Sequence, residues 1–462
     1  MFKPEKYAAR RRQLREKLSG GIVLLPGNEF ASMNYPANFY HFRQDSDFLY
    51  FFGHDHDGHS GIIDVDEGKD ILVGDDLTMD DIIWMGNQPL MKDKAAQIGT
   101  DHILSRSKLG AYVQEAVKKG RKVHILPPYR GDRWMELENI FGMHHGEIKQ
   151  FISVELIKAV VSLREIKDAE EIVEIEKAVD IAYIMHTTAM KMAMPGTIEQ
   201  EIAGTVEGVA LANGRPVSFP VILSQNGQIL HNHDHSNKLQ EGRMMVTDAG
   251  TESEMHYASD ITRTVPVGGT FNQRQKDIYE IVLKANMDTI AAIKPGVFYK
   301  DIHLLAARII AQGLKDLGIM KGDVEEAVSQ GAHALFFPHG LGHAMGIDVH
   351  DMEGLGENFV GYDEEISRSD QFGLAFLRFG KKLKPGYVMT DEPGCYFIPA
   401  LIDLWRKEGK FTEFINYDKA ETFKDFGGVR IEDDILVTEE GYKVLGKAIP
   451  KTVAEVEDTM KT

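Results

Sequence analysis

From Gly20 to roughly Ser153, short apolar runs alternate with helical stretches such as Lys108–Lys119. The runs are Gly21-Ile-Val-Leu-Leu-Pro26, Gly61-Ile-Ile-Asp64 and Val123-His-Ile-Leu-Pro127. That rhythm predicts an α/β N-terminal domain. From Leu156 to Met194 the period changes: Ile166, Ala169, Ile172, Val173, Val179, Ala182 and Tyr183 recur at helical spacing. Glu165, Asp168, Glu170 and Glu171 gather near the start, so the spacing predicts mostly one long helix. The domain boundary is placed near Val160, giving an N-terminal domain 1–160 and a second domain 161–462.

The second domain echoes itself. Met194-Pro-Gly-Thr197 opens a helix expected to end near Gly214, with a capping pair Thr197 and Gln200, and Lys294-Pro-Gly-Val297 opens another running to about Leu317. The apolar strand Met245-Val-Thr-Asp-Ala-Gly250 is answered by Val388-Met-Thr-Asp-Glu-Pro-Gly394. Two related α+β halves facing a shared cleft would produce both echoes. Extra material in the second half, Glu353–Phe376 and Phe397–Phe426, makes the echo imperfect.

Composition narrows the function. The chain has 462 residues, 52 Lys+Arg against 71 Asp+Glu, and a net charge of -19, an acidic balance that argues against nucleic acid as a partner. No run of about 18 apolar residues occurs, which argues against a membrane span. The single cysteine, Cys395, cannot form an internal disulfide, and Met1–Ser19 lacks the long uncharged run of a secretion signal; a cytoplasmic enzyme is expected. The basic cluster Arg10, Arg11, Arg12, Arg15 and Lys17 reads as one solvated helix face. The run His54-Asp-His-Asp-Gly-His59 reads as a solvated turn between strands, and the methionines of Met185–Met194 as core packing.

Candidate chemistry lies in four acids set among apolar strand residues. Asp248 and Asp260 flank a segment that a hairpin would bring together, while Glu392 ends one strand run and Glu432 sits inside Gly428-Val-Arg-Ile-Glu-Asp-Asp-Ile-Leu-Val. Any one of them could be an edge-strand carboxylate in water, but four buried together need a cationic partner. His339, His343 and His350 lie in the Gly-rich stretch Phe337-Pro-His-Gly-Leu-Gly-His-Ala-Met-Gly-Ile-Asp-Val-His350, where backbone can approach a site closely.

With these stretches, and with Phe42-Arg-Gln-Asp-Ser-Asp-Phe-Leu-Tyr50 and Trp84-Met-Gly86, the chain resembles the proline-directed pita-bread metallopeptidases, the branch containing aminopeptidase P and prolidase. The resemblance spans nearly the whole length. It implies an α+β fold: a creatinase-like α/β N-terminal domain followed by a pseudo-twofold pita-bread catalytic domain. It also implies a dinuclear site with Asp248, Asp260, His343, Glu392 and Glu432 as ligands, Asp260 and Glu432 bridging. Oxygen-rich ligation with one imidazole suits Mn²⁺, the ion the resemblance implies, and tolerates Co²⁺ or Zn²⁺.

The same resemblance implies Glu392 as proton shuttle, His339, His350 and His231 around the scissile carbonyl, and Arg430 orienting a carboxylate. Arg430 could instead pair with Asp433 or Asp434, and His231 could be an ordinary loop histidine. Asp391, beside the ligand Glu392, departs from the family's usual apolar residue; pointing away it is harmless, pointing inward it would perturb the site. Arg378 falls where prolidases of the eukaryotic type hold a dipeptide's terminal carboxylate, or it is a surface arginine beside Lys381, Lys382 and Lys384. The expected activity is hydrolysis of the Xaa-Pro bond in proline-containing dipeptides, with longer peptides as the alternative and a non-catalytic binding protein as a third reading. A homodimer is expected, with Trp84 bordering a neighbouring subunit's pocket.

Overall fold

The structure, a computed structural model, describes residues 1–461. It divides into two compact units, Met1–Arg164 with the short segment Gly354–Phe359, and Glu165–Glu353 with the chain from Val360 onward. The division falls at a break in the expected long helix. Val154–Arg164 and Ala169–Met192 are separate helices, because the Asp168 carboxylate accepts the Glu170 and Glu171 N–H groups and Glu171 returns to the Asp168 N–H. That reciprocal cap starts a new helix where periodicity alone ran straight through.

The first unit holds one five-stranded mixed sheet. Its strands are β1 (Ile22–Pro26), β2 (Ser60–Asp64), β3 (Lys69–Val73), β4 (His102–Leu104) and β5 (Val123–His124), in the order β4-β3-β2-β1-β5. Ile22, Leu24, Ile62 and Val73 pack with Leu109 and Val113 of the helix Arg106–Lys118 and Leu137 and Phe141 of Gly131–Phe141.

Two expectations fail in this unit. Arg10 and Arg11 of the helix Pro4–Glu16 are buried: Arg10 donates to Tyr50 O at 3.0 Å, and Arg11 to Phe51 O at 2.8 Å and Ile98 O at 2.7 Å. They satisfy the orphan carbonyls ending the helix Ser46–Phe52, a use of cations at a helix C-terminus that charge patterning does not reveal. Arg11 also pairs with Asp70 at 2.9 Å. Nor is the His54–His59 run a solvated turn. His54 and His59 are both buried, their ring nitrogens against Lys94 O (2.8 Å) and Asp57 O (2.7 Å), and burial lowers each pKa to about 4.

The second unit shows the expected repeat. The helices Ala169–Met192 and Glu199–Asn213 pack together and precede β6 (Ile222–Ser224), β7 (Met244–Ala249) and β8 (Ile261–Pro266), an antiparallel sheet in the order β6-β7-β8. The helices Gln273–Ala292 and Tyr299–Asp316 likewise pack and precede β9 (Val388–Asp391), β10 (Gly394–Tyr396), β11 (Gly428–Arg430), β12 (Asp433–Val437) and β13 (Tyr442–Val444). These form a β13-β12-β9 sheet and a β10-β11 ribbon. The cap near Thr197 is displaced: Glu201, not Gln200, reaches back, to the Ile198 N–H at 3.3 Å. Among the described residues no helix is long and apolar enough to cross a membrane.

Candidate metal centre

The four acids meet because each sits where a strand stops. Asp248 lies in β7 opposite Thr262 of β8, and Asp260 immediately precedes β8, so the expected hairpin brings both to one end of the sheet. Glu392 falls between β9 and β10, and Glu432 between β11 and β12. Strand interruptions re-aim side chains that alternation would otherwise send elsewhere.

Asp260, His343 and Glu432 are all buried, and each offers a ligand atom within 4.8 Å of the others. His343 Nε2 stands 3.3 Å from Asp260 Oδ2 and 3.8 Å from Glu392 Oε1, while its Nδ1 donates to Ala344 O at 3.1 Å. That bond leaves Nε2 as the basic nitrogen, the one facing Asp260 and Glu392.

The residues fit divalent cations. Asp248 Oδ1 and Asp260 Oδ1 are buried with no hydrogen-bond partner. Burial raises the Asp260 carboxyl far above its ordinary range, Glu432 adding to the rise, and does the same to Glu432, with Glu392 adding. Glu392 is pushed up to about 8, burial leading and Arg430 opposing. Among the described contacts Arg430 is the only arginine or lysine hydrogen-bonded to a carboxylate of these four acids, so the carboxylates outnumber their bonded cation by three. Carboxylate oxygens plus one imidazole are a donor set for hard or borderline divalent ions.

Arg430 resolves its two readings. Its Nη2 donates to Asp248 Oδ2 at 2.6 Å, whereas Asp433 is held by Arg263 and Lys451, and Asp434 accepts the Asp260 N–H. Asp391 points away from the acids: its Oδ1 accepts from Thr289 Oγ1 at 2.9 Å, on the helix Gln273–Ala292.

A cavity of about 930 Å³ opens over the cluster, lined by Asp248, Asp260, His343, Glu392 and Glu432 and by His231, His339, His350, Arg378 and Arg430. Its other wall is apolar, with Phe219, Ile222, Phe372, Phe376, Leu401 and Leu404. His231 is exposed and His350 half-buried, the latter's Nδ1 donating to Glu353 Oε2 at 2.6 Å. His339 commits both nitrogens, Nδ1 to Gly340 O (2.8 Å) and Nε2 to Tyr396 OH (2.9 Å). Burial lowers its pKa to about 3, so it is neutral. Arg378 pairs with Glu353 at 2.6 Å. Trp84 is not among the lining residues. It is 84% exposed on the short helix Met79–Met85 of the first unit.

Sequence reasoning missed Tyr396, Thr262 and Glu353. Tyr396 OH accepts from Arg430 Nη1 at 2.9 Å and Thr262 Oγ1 donates to Glu432 Oε2 at 2.6 Å. Thr262 stood two positions from Asp260 in a strand, on the same face by alternation. Tyr396 gave no signal, since only the β10–β11 pairing sets Gly394 against Arg430.

Comparison with known proteins decides the family. Residues 173–439 match the model of metallopeptidase family M24, and residues 7–126 that of the aminopeptidase P N-terminal domain. The chain belongs to metallopeptidase family M24. This M24 metallopeptidase is 33% identical to the human Xaa-Pro dipeptidase, over 98% of its own length and 93% of the relative's. It is also 33% identical to a probable Xaa-Pro aminopeptidase of Aspergillus terreus, over 90% and 88%. A substrate complex of an Escherichia coli aminopeptidase P variant superposes with a TM-score of 0.81 at 28% identity, covering 100% of this chain and 98% of that one. The two-halved α+β catalytic unit of the M24 enzyme is accordingly the pita-bread fold.

Proposed function

We propose that this metallopeptidase hydrolyses the Xaa-Pro bond, acting first as a prolidase on Xaa-Pro dipeptides. The observation carrying this reading is the buried carboxylate–imidazole cluster at the floor of a cavity that also holds Arg378, in a chain similar over 98% of its length to an Xaa-Pro dipeptidase. Asp248, Asp260, His343, Glu392 and Glu432 would hold two divalent ions, with Mn²⁺ the expected pair. When bound, the ions lower the pKa of a water from ~15.7 toward neutrality and polarise the scissile carbonyl.

The protein's own groups do the rest. Glu392 takes the proton from the attacking water and passes it to the proline nitrogen, which as a tertiary amide brings no N–H of its own. Arg430 fixes Asp248 and, through Tyr396, the wall formed by His339. Because both His339 nitrogens are engaged, carbonyl contact falls to His231 and His350, and His339 serves as a positioning residue. Arg378 is placed to meet a dipeptide's carboxylate.

The similarity to aminopeptidases P and the Glu353 partner already on Arg378 favour a second reading, cleavage of longer peptides. The test is the hydrolysis of Ala-Pro beside Ala-Pro-Ala by Mn²⁺-loaded protein and a chelated control. Dipeptide cleavage alone supports the prolidase; cleavage of both supports the aminopeptidase; no metal-dependent cleavage removes the proposal. Trp84, with Met79, Ile83 and Met85, each at least 65% exposed on one short helix, supports a homodimer in which this apolar face meets a second copy. A cytoplasmic location rests on the absence of any possible internal disulfide.

A further inference from the structure

Glu353 stands outside the cluster and outside every role assigned above, yet it ties together two groups that line the cavity. Its Oε1 receives Arg378 Nη1 at 2.6 Å, and its Oε2 receives His350 Nδ1 at 2.6 Å. One carboxylate is therefore held between an arginine and an imidazole at the cavity wall. That is the chemistry a peptide's terminal carboxylate would seek there.

The turn that carries Glu353 is firmly built. Asp351 is buried and bound by Lys167 Nζ at 2.8 Å, and its N–H donates to Ala344 O at 2.9 Å. Met352, also buried, adopts φ 61°, a left-handed conformation that costs a non-glycine residue energy and persists only where surrounding contacts enforce it. The Glu353 N–H then closes on His350 O at 3.2 Å. The strained residue throws Glu353 back toward His350 and Arg378 instead of out to solvent. The His350 hydrogen bond, ahead of the burial that opposes it, holds the Glu353 carboxyl below its ordinary range, so it is ionised at neutral pH.

We propose that Glu353 is a built-in carboxylate that occupies Arg378, so that a substrate's terminal carboxylate must displace it, and that this competition sets the preference between Xaa-Pro dipeptides and longer peptides. The proposal rests on the Xaa-Pro reading above and deepens it. A dipeptide arriving with a free carboxylate meets an arginine whose charge is already matched, beside a cavity floor rich in acids. A longer peptide brings no carboxylate to that point and does not compete. Glu353 is in this sense a specificity residue; no bond-making step passes through it.

Glu353→Gln separates this role from support of His350, because the amide oxygen still accepts from Nδ1 while the charge facing Arg378 is gone. The readout is the ratio of kcat/KM for Ala-Pro to that for Ala-Pro-Ala with Mn²⁺-loaded protein, in which any common effect through His350 cancels. The ratio is expected to rise about threefold to tenfold, through a lower KM for the dipeptide, the range of a partly exposed charge pair. The gain should vanish in the double variant Glu353→Gln/Arg378→Met. An unchanged or lower ratio, or a gain that survives loss of Arg378, overturns the proposal. Calorimetric titration with L-proline and prolinamide needs no turnover. Tighter proline binding in Glu353→Gln, with prolinamide unchanged, supports displacement, and equal proline binding by both proteins overturns it. Wild-type protein that cleaves neither peptide would instead remove the Xaa-Pro reading, leaving the proline titration to judge Glu353.

Discussion

Strands β7 to β12 of the second unit carry buried acids in two settings, and they are solved in opposite ways. Away from the cavity, Asp433 receives Arg263 Nη2 at 2.7 Å and Lys451 Nζ at 2.6 Å. Although burial alone would raise its pKa, those two cations hold it far below the ordinary carboxylate range. Toward the cavity, the one arginine or lysine hydrogen-bonded to a carboxylate of Asp248, Asp260, Glu392 or Glu432 among the described residues is Arg430, on Asp248, and burial drives the carboxyls of Asp260, Glu392 and Glu432 upward. A buried acid with its own protein cations belongs to the scaffold. A group of buried acids left short of cations is a site built for an ion that arrives later.

The largest expected break in this contrast comes from Asp260→Ala. Removing a proposed ligand at the centre of the cluster should cut kcat/KM by about a thousandfold or more and lower the bound metal measured by elemental analysis. A chelator should lower the Tm of wild type, whose folded state alone binds the ions, but barely move that of the variant. Full activity in Asp260→Ala would sink the metal mechanism.

On the scaffold side, Arg263→Met leaves Asp433 one cation short in a buried setting. It should cost about 3–5 kcal/mol in denaturant unfolding. The pH sign follows from the depressed folded pKa of Asp433. Its stabilisation is complete above the unfolded value near ~3.9 and is lost as pH falls below it. An Asp433→Asn variant should therefore differ most from wild type at neutral pH, and converge on it in acid; a difference constant to low pH contradicts the pairing.

Between the two settings lies Arg430, the cation bonded to the Asp248 carboxylate at the cavity. Arg430→Met should lower kcat/KM by about 10–100-fold, the usual cost of losing a group that orients a metal ligand. An effect on stability alone would move it to the scaffold. The smallest effect is expected at Asp391, whose carboxylate points away from the cluster. Asp391→Asn keeps the acceptor for Thr289 and should change stability by no more than about 1 kcal/mol and activity hardly at all. A large loss of metal would show that Asp391 reaches the site.

Much of the site was readable along the chain because its chemistry is concentrated in short motifs. Asp248-Ala-Gly, Ser259-Asp-Ile-Thr, Glu392-Pro-Gly and Gly428-Val-Arg-Ile-Glu each place a clustered acid at or beside a strand end, and His339-Gly-Leu-Gly-His supplies the imidazoles from a Gly-rich loop. The paired helix–helix–strand halves were readable too, as repeated apolar periods and Pro-Gly starts. The break at Asp168 was not, since a reciprocal cap and a continuing helix share the same apolar spacing.

What the sequence determined by itself was the set of acids, the histidines and the order of elements, all of which follow from local pattern. Only the tertiary structure decided which acids go short of cations and which are matched. Arg263 reaches Asp433 from 170 residues away, Arg430 reaches Asp248 from 182, and Arg11 reaches Ile98 from 87. Arg378 and Glu353, 25 apart, meet at the cavity by the same kind of accident of folding. The reason is physical: a charge is recognisable from its residue, but whether it costs or stabilises depends on burial and on the partner within about 4 Å, and neither is a property of the neighbouring sequence.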